Sequence, residues 1–241
     1  ILSGAQNFEP LSGLNLLFGS DKLILNLIKG DLTDNFTLFA SVSNTIFTFE
    51  LSANVNTFSL ITSTNKIGLF EDLRFENIVS VDTNNKDTLF ISDSGNNSLY
   101  KIDVNDIVNR NRNGNRNFVL TEVIGNSGAG DTNFNKIDRI SVGDKSIFLY
   151  DRGDKIIKQY TNDLNLVKKY INNSLFENNE FVNLTYNDYS NLLYILFKNY
   201  KVVVLETNQF NKVDEFEYDL NDFDNDEIPK KILFSENNSN V

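Results

Sequence analysis

Four residue types are absent from this chain of 241 residues: Cys, Met, His and Trp, while Pro occurs only twice. Without Cys and His, the chain cannot contain a disulfide, a thiol nucleophile, an imidazole base, a Cys/His zinc site or a Ser-His-Asp triad. A Cys-free chain is compatible with either redox compartment. The enzyme chemistries that remain use carboxylates, Lys, Tyr or a metal ion held by oxygen ligands.

Three further features limit the function classes. The formal net charge is 22 − 33 = −11, which disfavours a nucleic-acid partner. The chain has no apolar run of about 18 residues, so we expect no membrane insertion. Because the chain lacks Met, we expect it to be a processed product or part of a larger polypeptide. The 40% hydrophobic content is enough to fill a sizeable core.

Short apolar runs separated by Asn, Asp, Gly and Ser clusters occur along the whole chain, and this pattern is typical of strands and turns. No segment shows a helical period over three turns. The sequence therefore predicts an all-β fold. The predicted strands cover residues 23–28, 36–42, 45–51, 57–62, 78–82, 88–93, 98–104, 118–124, 137–142, 146–151, 155–160, 166–170, 192–197 and 201–206.

The strands repeat. Residues 88–102 align with residues 146–160. In this alignment two strands coincide, and so do the Asp-x-Gly turns that begin at Asp93 and Asp151. Lys201 follows Lys155 by 46 residues. A unit of this size with four short strands is typical of a β-propeller blade. Four units are predicted, at residues 23–62, 75–124, 135–171 and 181–218.

Residues 124–142, followed by 146–156 and 158–160, resemble the NHL-type β-propeller repeat: a Gly-rich turn, a strand, and a strand ending in Asp before a turn. Residues 75–82 with 88–103 are similar. The match departs from the family at Thr132, where Gly is common, and Pro precedes only one candidate first strand, at Pro229. The resemblance implies a ring of four-stranded blades.

We expect the whole chain to be a single propeller domain or a fragment of one. Residues 228–234 are predicted to begin a fifth unit that is not completed, and residues 14–19 are a candidate outer strand that closes the last blade of the ring. A six-bladed ring would need roughly 276 residues. We therefore expect sequence outside this chain to complete the ring.

The strand-end residues Asp93 and Asp151 are predicted to be structural, because an Asp before a turn accepts hydrogen bonds from backbone N–H groups nearby. Two charged segments are the other candidates. The insertion loop 105–117 carries Arg110, Arg112 and Arg116, whose guanidinium groups could bind a carboxylate-bearing partner. Its alternating Asn residues resemble a calcium loop only weakly.

The segment 214–227 is predicted to be an acidic loop on a solvated face. Asp222, Asp224 and Asp226 are weak candidates for calcium ligands, because alternate carboxylates can converge in a loop. No other cofactor is expected.

Two classes of function fit this sequence. The first is a non-catalytic interaction or structural module that binds other protein chains in a larger assembly, such as a surface protein or a virion component. The alternative is a lactonase-like or lyase-like propeller enzyme with a divalent cation held by Asp, Glu and Asn. A carbohydrate-binding propeller ranks below both, because Trp is absent. Carboxylates from several blades converging at the centre would favour the enzyme.

Overall fold

The computed structural model describes residues 24–29, 35–42, 44–52, 57–64, 74–84, 88–103, 120–128 and 130–217. These residues form sixteen strands and one short helix. The all-β prediction is therefore confirmed. Within this part of the chain, no helix is long and apolar enough to cross a membrane.

The strands form four antiparallel sheets of four strands each. Within a sheet, each strand pairs with the strands that precede and follow it in the chain. The first sheet contains β1 (Ile24–Lys29), β2 (Asn35–Val42), β3 (Thr45–Ser52) and β4 (Thr57–Thr64), and the second contains β5 (Ile78–Thr83), β6 (Thr88–Asp93), β7 (Ser98–Asp103) and β8 (Leu120–Gly125). The third contains β9 (Ile137–Val142), β10 (Ser146–Asp151), β11 (Ile156–Thr161) and β12 (Leu166–Ile171), and the fourth contains β13 (Phe181–Asn187), β14 (Leu192–Phe197), β15 (Lys201–Glu206) and β16 (Lys212–Glu217).

The first strand of each sheet lies beside the first strand of the next sheet. Strand β5 contacts both β1 and β9, and β9 contacts β13. The first strands are therefore innermost, and the later strands follow outward. This is the arrangement of blades in a β-propeller, and the four sheets are called blades one to four. The four predicted units coincide with them, whereas residues 14–19 and 228–234 lie outside the described residues.

The innermost strand pairs share an irregularity. The register between the first and second strands shifts once in each of blades two to four: between Ile78 and Ser80, between Leu149 and Asp151, and between Phe181 and Asn183. A bulge bends a strand and increases its local twist. The shift occurs near the start of each first strand, where the chain enters the blade.

The blades stack through apolar faces. In β6, Leu89 and Ile91 belong to the core shared with blade one, whereas Phe90 belongs to the core shared with blade three. A central strand therefore buries both of its faces, and the alternation of apolar and polar residues is muted. The core between blades three and four contains Phe148, Tyr150, Ile157, Phe181, Leu184, Leu193, Ile195, Phe197, Val203 and Leu205.

The far face of blade four carries a further apolar cluster. Leu196, Val202 and Val204 are 0–3% exposed, and Val182, Leu192 and Tyr194 pack against them. All six residues belong to blade four itself. The blade therefore has two apolar faces, like blades two and three.

The helix α1 (Asn173–Asn178) connects blades three and four. Its first turn is capped by Asn172, whose side-chain oxygen accepts a hydrogen bond from Leu175 N at 3.1 Å. Phe176 points into the core, with its ring centroid 5.1 Å from that of Tyr150. The helix thus closes one end of the core between the two blades.

Truncating Phe148 is expected to test the packing between blades three and four. Its side chain is fully buried, and its ring lies 4.6 Å from that of Tyr186 and 6.1 Å from that of Phe210. Phe148→Ala is expected to lower the free energy of unfolding by about 3–5 kcal/mol, because it opens a cavity. Urea denaturation measures this change. The control is Val167→Ala on β12, which is 49% exposed and should cost less than about 0.5 kcal/mol; similar losses in both variants would contradict the packing.

Candidate functional site

The charged segments predicted as partner or metal sites fall mostly outside the described residues. Arg110, Arg112 and Arg116 lie outside them, as do Asp222, Asp224 and Asp226. The acidic segment begins inside strand β16, where every residue from Lys212 to Glu217 is exposed. The site that the structure describes in full is the pair of strand-end carboxylates, Asp93 and Asp151.

Asp93 ends strand β6 and is completely buried. Its carboxylate accepts hydrogen bonds from Glu76 N at 2.7 Å and Asn77 N at 2.8 Å, which lie just before the innermost strand. It also accepts one from Gly95 N at 2.9 Å, two residues further along the chain. A single carboxylate therefore ties the turn after the second strand to the chain that enters the blade.

Asp151 occupies the same place in blade three and is also completely buried. Its carboxylate accepts hydrogen bonds from Asn135 N at 3.1 Å and Lys136 N at 2.9 Å. The backbone adds a contact, because Arg152 N donates to Lys136 O at 2.8 Å. Burying a carboxylate is costly unless it is hydrogen-bonded, and these N–H groups supply the donors that each buried carboxylate needs.

The glycine of the Asp-x-Gly turn is required by this close approach. A Cβ atom added at Gly95 would lie 2.4 Å from Glu76 Cβ, and one added at Gly153 would lie 2.5 Å from Asn135 Cβ. Both distances are far shorter than van der Waals contact. The motif therefore combines an acceptor with a residue small enough to let the two chain segments meet.

The blades differ in the residue that faces the carboxylate from the third strand. In blade three it is Lys158, whose side chain is 0% exposed. Its ammonium lies 3.3 Å from Asp151 Oδ2, donates to Asn133 O at 2.6 Å, and sits 4.8 Å from the ring centroid of Phe134. This is a buried ion pair with additional partners, which offset part of its desolvation.

Blade two has Tyr100 at the position of Lys158. Its ring packs edge-on against Phe75 at 5.4 Å, and its hydroxyl accepts a hydrogen bond from Asn96 Nδ2 at 3.2 Å. Burial raises the pKa of Tyr100, and the charge of Asp93 raises it further. The carboxylate of blade two therefore faces a neutral phenol, whereas that of blade three faces a cation.

In blade four, apolar residues occupy both positions, the end of the second strand and the facing position on the third strand. Phe197 ends its second strand, and Val203, which pairs with Ile195, takes the position on the third strand. The backbone contact persists, because Lys198 N donates to Glu180 O at 2.9 Å. The turn is therefore held by main chain in all three blades, and the carboxylate is an addition in two of them.

The innermost strands carry further carboxylates. Asp138 on β9 is 6% exposed, and Arg152 Nε donates to its Oδ2 at 2.6 Å. Arg139 donates through Nη1 to Val79 O on the innermost strand of blade two. On β5, Asp82 Oδ2 accepts from Val142 N of blade three at 2.8 Å. These polar groups therefore join neighbouring blades or neighbouring strands.

Within the described part of the chain, no three Asp or Glu side chains form a group that could hold a metal ion. Asp82, Asp93, Asp138 and Asp151 all bind backbone N–H groups or basic side chains. The arrangement is suited to fixing the positions of strands and turns. Lys158 and the Asp138–Arg152 pair were not predicted from the sequence, in which the only signal for Lys158 is its position within an apolar strand.

The chain is similar in structure to solved proteins. No family model and no curated protein matches it. The crystal structure of Saccharomyces cerevisiae Sqt1 has a TM-score of 0.54 and 14% identity, over 81% of this chain and 48% of that chain. The crystal structure of the Mitotic Checkpoint Complex has a TM-score of 0.51 and 9% identity, over 76% of this chain and 47% of that chain.

These similarities show the fold alone: the chain is similar to propeller-type structures, in agreement with its four stacked blades. The chain spans about half the length of each matched chain. The NHL-type resemblance of the repeats stays a prediction, since no family model matches.

Two matched substitutions are expected to show that the two turn carboxylates contribute differently to the free energy of unfolding. Asp151→Asn removes the partner of the buried Lys158 ammonium, and breaking a buried pair in this way costs about 3–5 kcal/mol. Asp93→Asn leaves no unpaired cation, because Tyr100 stands in that place, and should cost about 1–3 kcal/mol. Urea denaturation of both variants gives the two values.

A second variant tests the cause of the difference. Lys158→Met in the Asp151→Asn background removes the unpaired ammonium, so it is expected to recover part of the lost stability. If Asp93→Asn is as damaging as Asp151→Asn and Lys158→Met recovers nothing, the ion pair does not explain the difference.

Proposed function

We propose that this chain is a non-catalytic β-propeller module that binds other protein chains within a larger assembly. The observation that carries the proposal is that the buried carboxylates of the described residues bind backbone N–H groups or basic side chains, and so fix turns and strands and join blades. Such a scaffold is rigid, and its turns and loops are available for contacts. One similar solved structure is that of a complex, which also supports the proposal.

The finer features of the proposal come from the sequence. The repeats are NHL-like, and the setting we favour is a surface protein or a virion component. Arg110, Arg112 and Arg116 are candidate contacts for a carboxylate-bearing partner. The chain's net charge of −11 makes a nucleic-acid partner unfavourable.

Cross-linking tests the proposal directly. The full chain, carrying an affinity tag, is introduced into its native source, cross-linked, and analysed by quantitative mass spectrometry. At least one protein chain is expected at a fixed stoichiometry, and its binding to the purified full chain is expected to saturate. The same protein unfolded before mixing is the control. A chain that stays monomeric, with no stoichiometric protein partner, would contradict the proposal.

Calcium binding would instead favour the alternative, a propeller enzyme with an oxygen-ligated cation. We expect saturating calcium to leave the melting temperature of the full chain unchanged. A ligand at 100 times its Kd stabilises a protein by about 2.7 kcal/mol, which would raise the melting temperature by about 5–10 °C here.

The calcium experiment has two controls. Magnesium tests for a general ionic effect. The variant carrying Asp222→Asn, Asp224→Asn and Asp226→Asn tests whether the acidic segment is responsible. A saturable shift with calcium that this variant loses would place a calcium site there and count against the metal-free module.

A further inference from the structure

The hairpin turn between β13 and β14 presents an aromatic ring to solvent. Tyr189 is 84% exposed, whereas most large apolar and aromatic side chains of blade four are packed in its two clusters. A ring on a turn tip buries little surface within its own chain. An exposed aromatic side chain of this kind is a common anchor in protein interfaces, because it buries a large area with few rotatable bonds.

The turn that carries Tyr189 is held by hydrogen bonds on its own blade. Asn187 Oδ1 accepts from Tyr189 N at 3.0 Å and from Ser190 N at 3.2 Å. Tyr186 donates its hydroxyl to Asn191 Oδ1 at 3.1 Å. Burial raises the pKa of Tyr186 to about 12, and the charge of Asp188 adds to this, so the hydroxyl keeps its proton.

The same turn is also fixed to blade three. The Asp188 carboxylate accepts a hydrogen bond from Asp144 N in the turn between β9 and β10. That turn is held in its own blade, where Asn162 Nδ2 donates to Asp144 O at 2.8 Å. In blade four, Thr207 N donates to Asn191 O at 3.1 Å. The turns at this end of blades three and four therefore form one connected surface, called here the turn surface: residues 143–145, 162–165, 188–191 and 207–211.

A partner that docks on the turn surface finds the backbone around Tyr189 already ordered. Ordering a loop at an interface normally weakens binding, and a pre-ordered turn avoids much of that loss. The aromatic ring itself is open to contact on the side away from the protein. The turn surface therefore combines an exposed anchor with a fixed support.

The charges beside Tyr189 indicate the chemistry of the partner. Asp144 and Asp188 are exposed in the two joined turns, and Lys145 is the single basic residue of these turns, both of which are described in full. Asp163, also on the turn surface, pairs with Lys101 at 2.8 Å, and the Lys168 ammonium donates to Asn208 O in the turn between β15 and β16. A cation over the face of a tyrosine ring is favourable, and the net charge of the whole chain is −11.

We propose that Tyr189 anchors the docking of a partner protein segment that carries Lys or Arg on the turn surface. The inference rests on the proposed function as a protein-binding module and names the surface and the chemistry of the partner. A Lys or Arg side chain lies over the ring, and its charge is complementary to the carboxylates beside it. The backbone groups of the turn stay bound to their partners within the two blades.

Peptide selection against the full chain tests the proposal. A phage-displayed library of random dodecapeptides is selected on the immobilised protein, and the enriched peptides are synthesised for fluorescence polarisation. The enriched peptides are expected to contain an excess of Lys and Arg, and their Kd is expected to rise with salt concentration. Tyr189→Ala is expected to raise Kd about tenfold or more, and Tyr189→Phe by less than about threefold, because the ring remains.

Ile171→Ala is the matched control, because Ile171 is 65% exposed on the outer strand of blade three and lies away from the turn surface. It should leave Kd unchanged, and thermal melting checks that all variants stay folded. The inference is overturned by enriched peptides that bind Tyr189→Ala as well as the unmodified chain, by enriched peptides without an excess of Lys and Arg, or by the absence of enriched peptides. The cross-linking experiment decides the proposed function separately in each case.

Discussion

Blades two, three and four each have two apolar faces, and burying both faces is the constraint on which the rest of the structure depends. A single sheet could cover neither face alone. Stacking solves the problem because one face of a blade packs against the opposite face of the next. Phe90 and its neighbours Leu89 and Ile91 show the result within one strand, since they belong to two different cores.

Apolar packing by itself is not directional, so polar groups must set how the strands and turns are placed. Asp93 and Asp151 do so within their blades by collecting the N–H groups of the entering chain. Asp82 and Arg139 act between blades, where each reaches a backbone group of its neighbour. Each of these four side chains therefore fixes a definite backbone group.

The fold could be predicted from the sequence to a large extent, because strands, turns and repeats leave local signals. The four units and most strand positions are confirmed. Strands β13 and β16 were not among the predicted strands. The residues of β16 are all exposed, and four of the six are charged. The helix α1 has only six residues, which is too short to show a period, and it is stabilised by its cap and by the burial of Phe176.

The candidate site could be predicted less well. Asp93 and Asp151 stand out in the sequence because each ends a strand before a glycine turn. Their partners Glu76, Asn77, Asn135 and Lys136 contribute backbone atoms, which carry no sequence signal. The Asp188–Asp144 contact that supports Tyr189 joins two blades, and contacts of this kind depend on how the blades stack.

The residue at the end of the second strand and the residue that faces it from the third strand differ together from blade to blade: Asp93 with Tyr100, Asp151 with Lys158, and Phe197 with Val203. In blade three, loss of Asp151 alone would leave the buried Lys158 ammonium without its carboxylate, and a Lys in place of Val203 would find Phe197 instead of a carboxylate in blade four. Mutations that accumulate in one member should therefore be followed by changes in the other. Divergence among the repeats then proceeds in coupled steps, which explains how copies of one unit can lose their similarity in sequence while keeping the same shape.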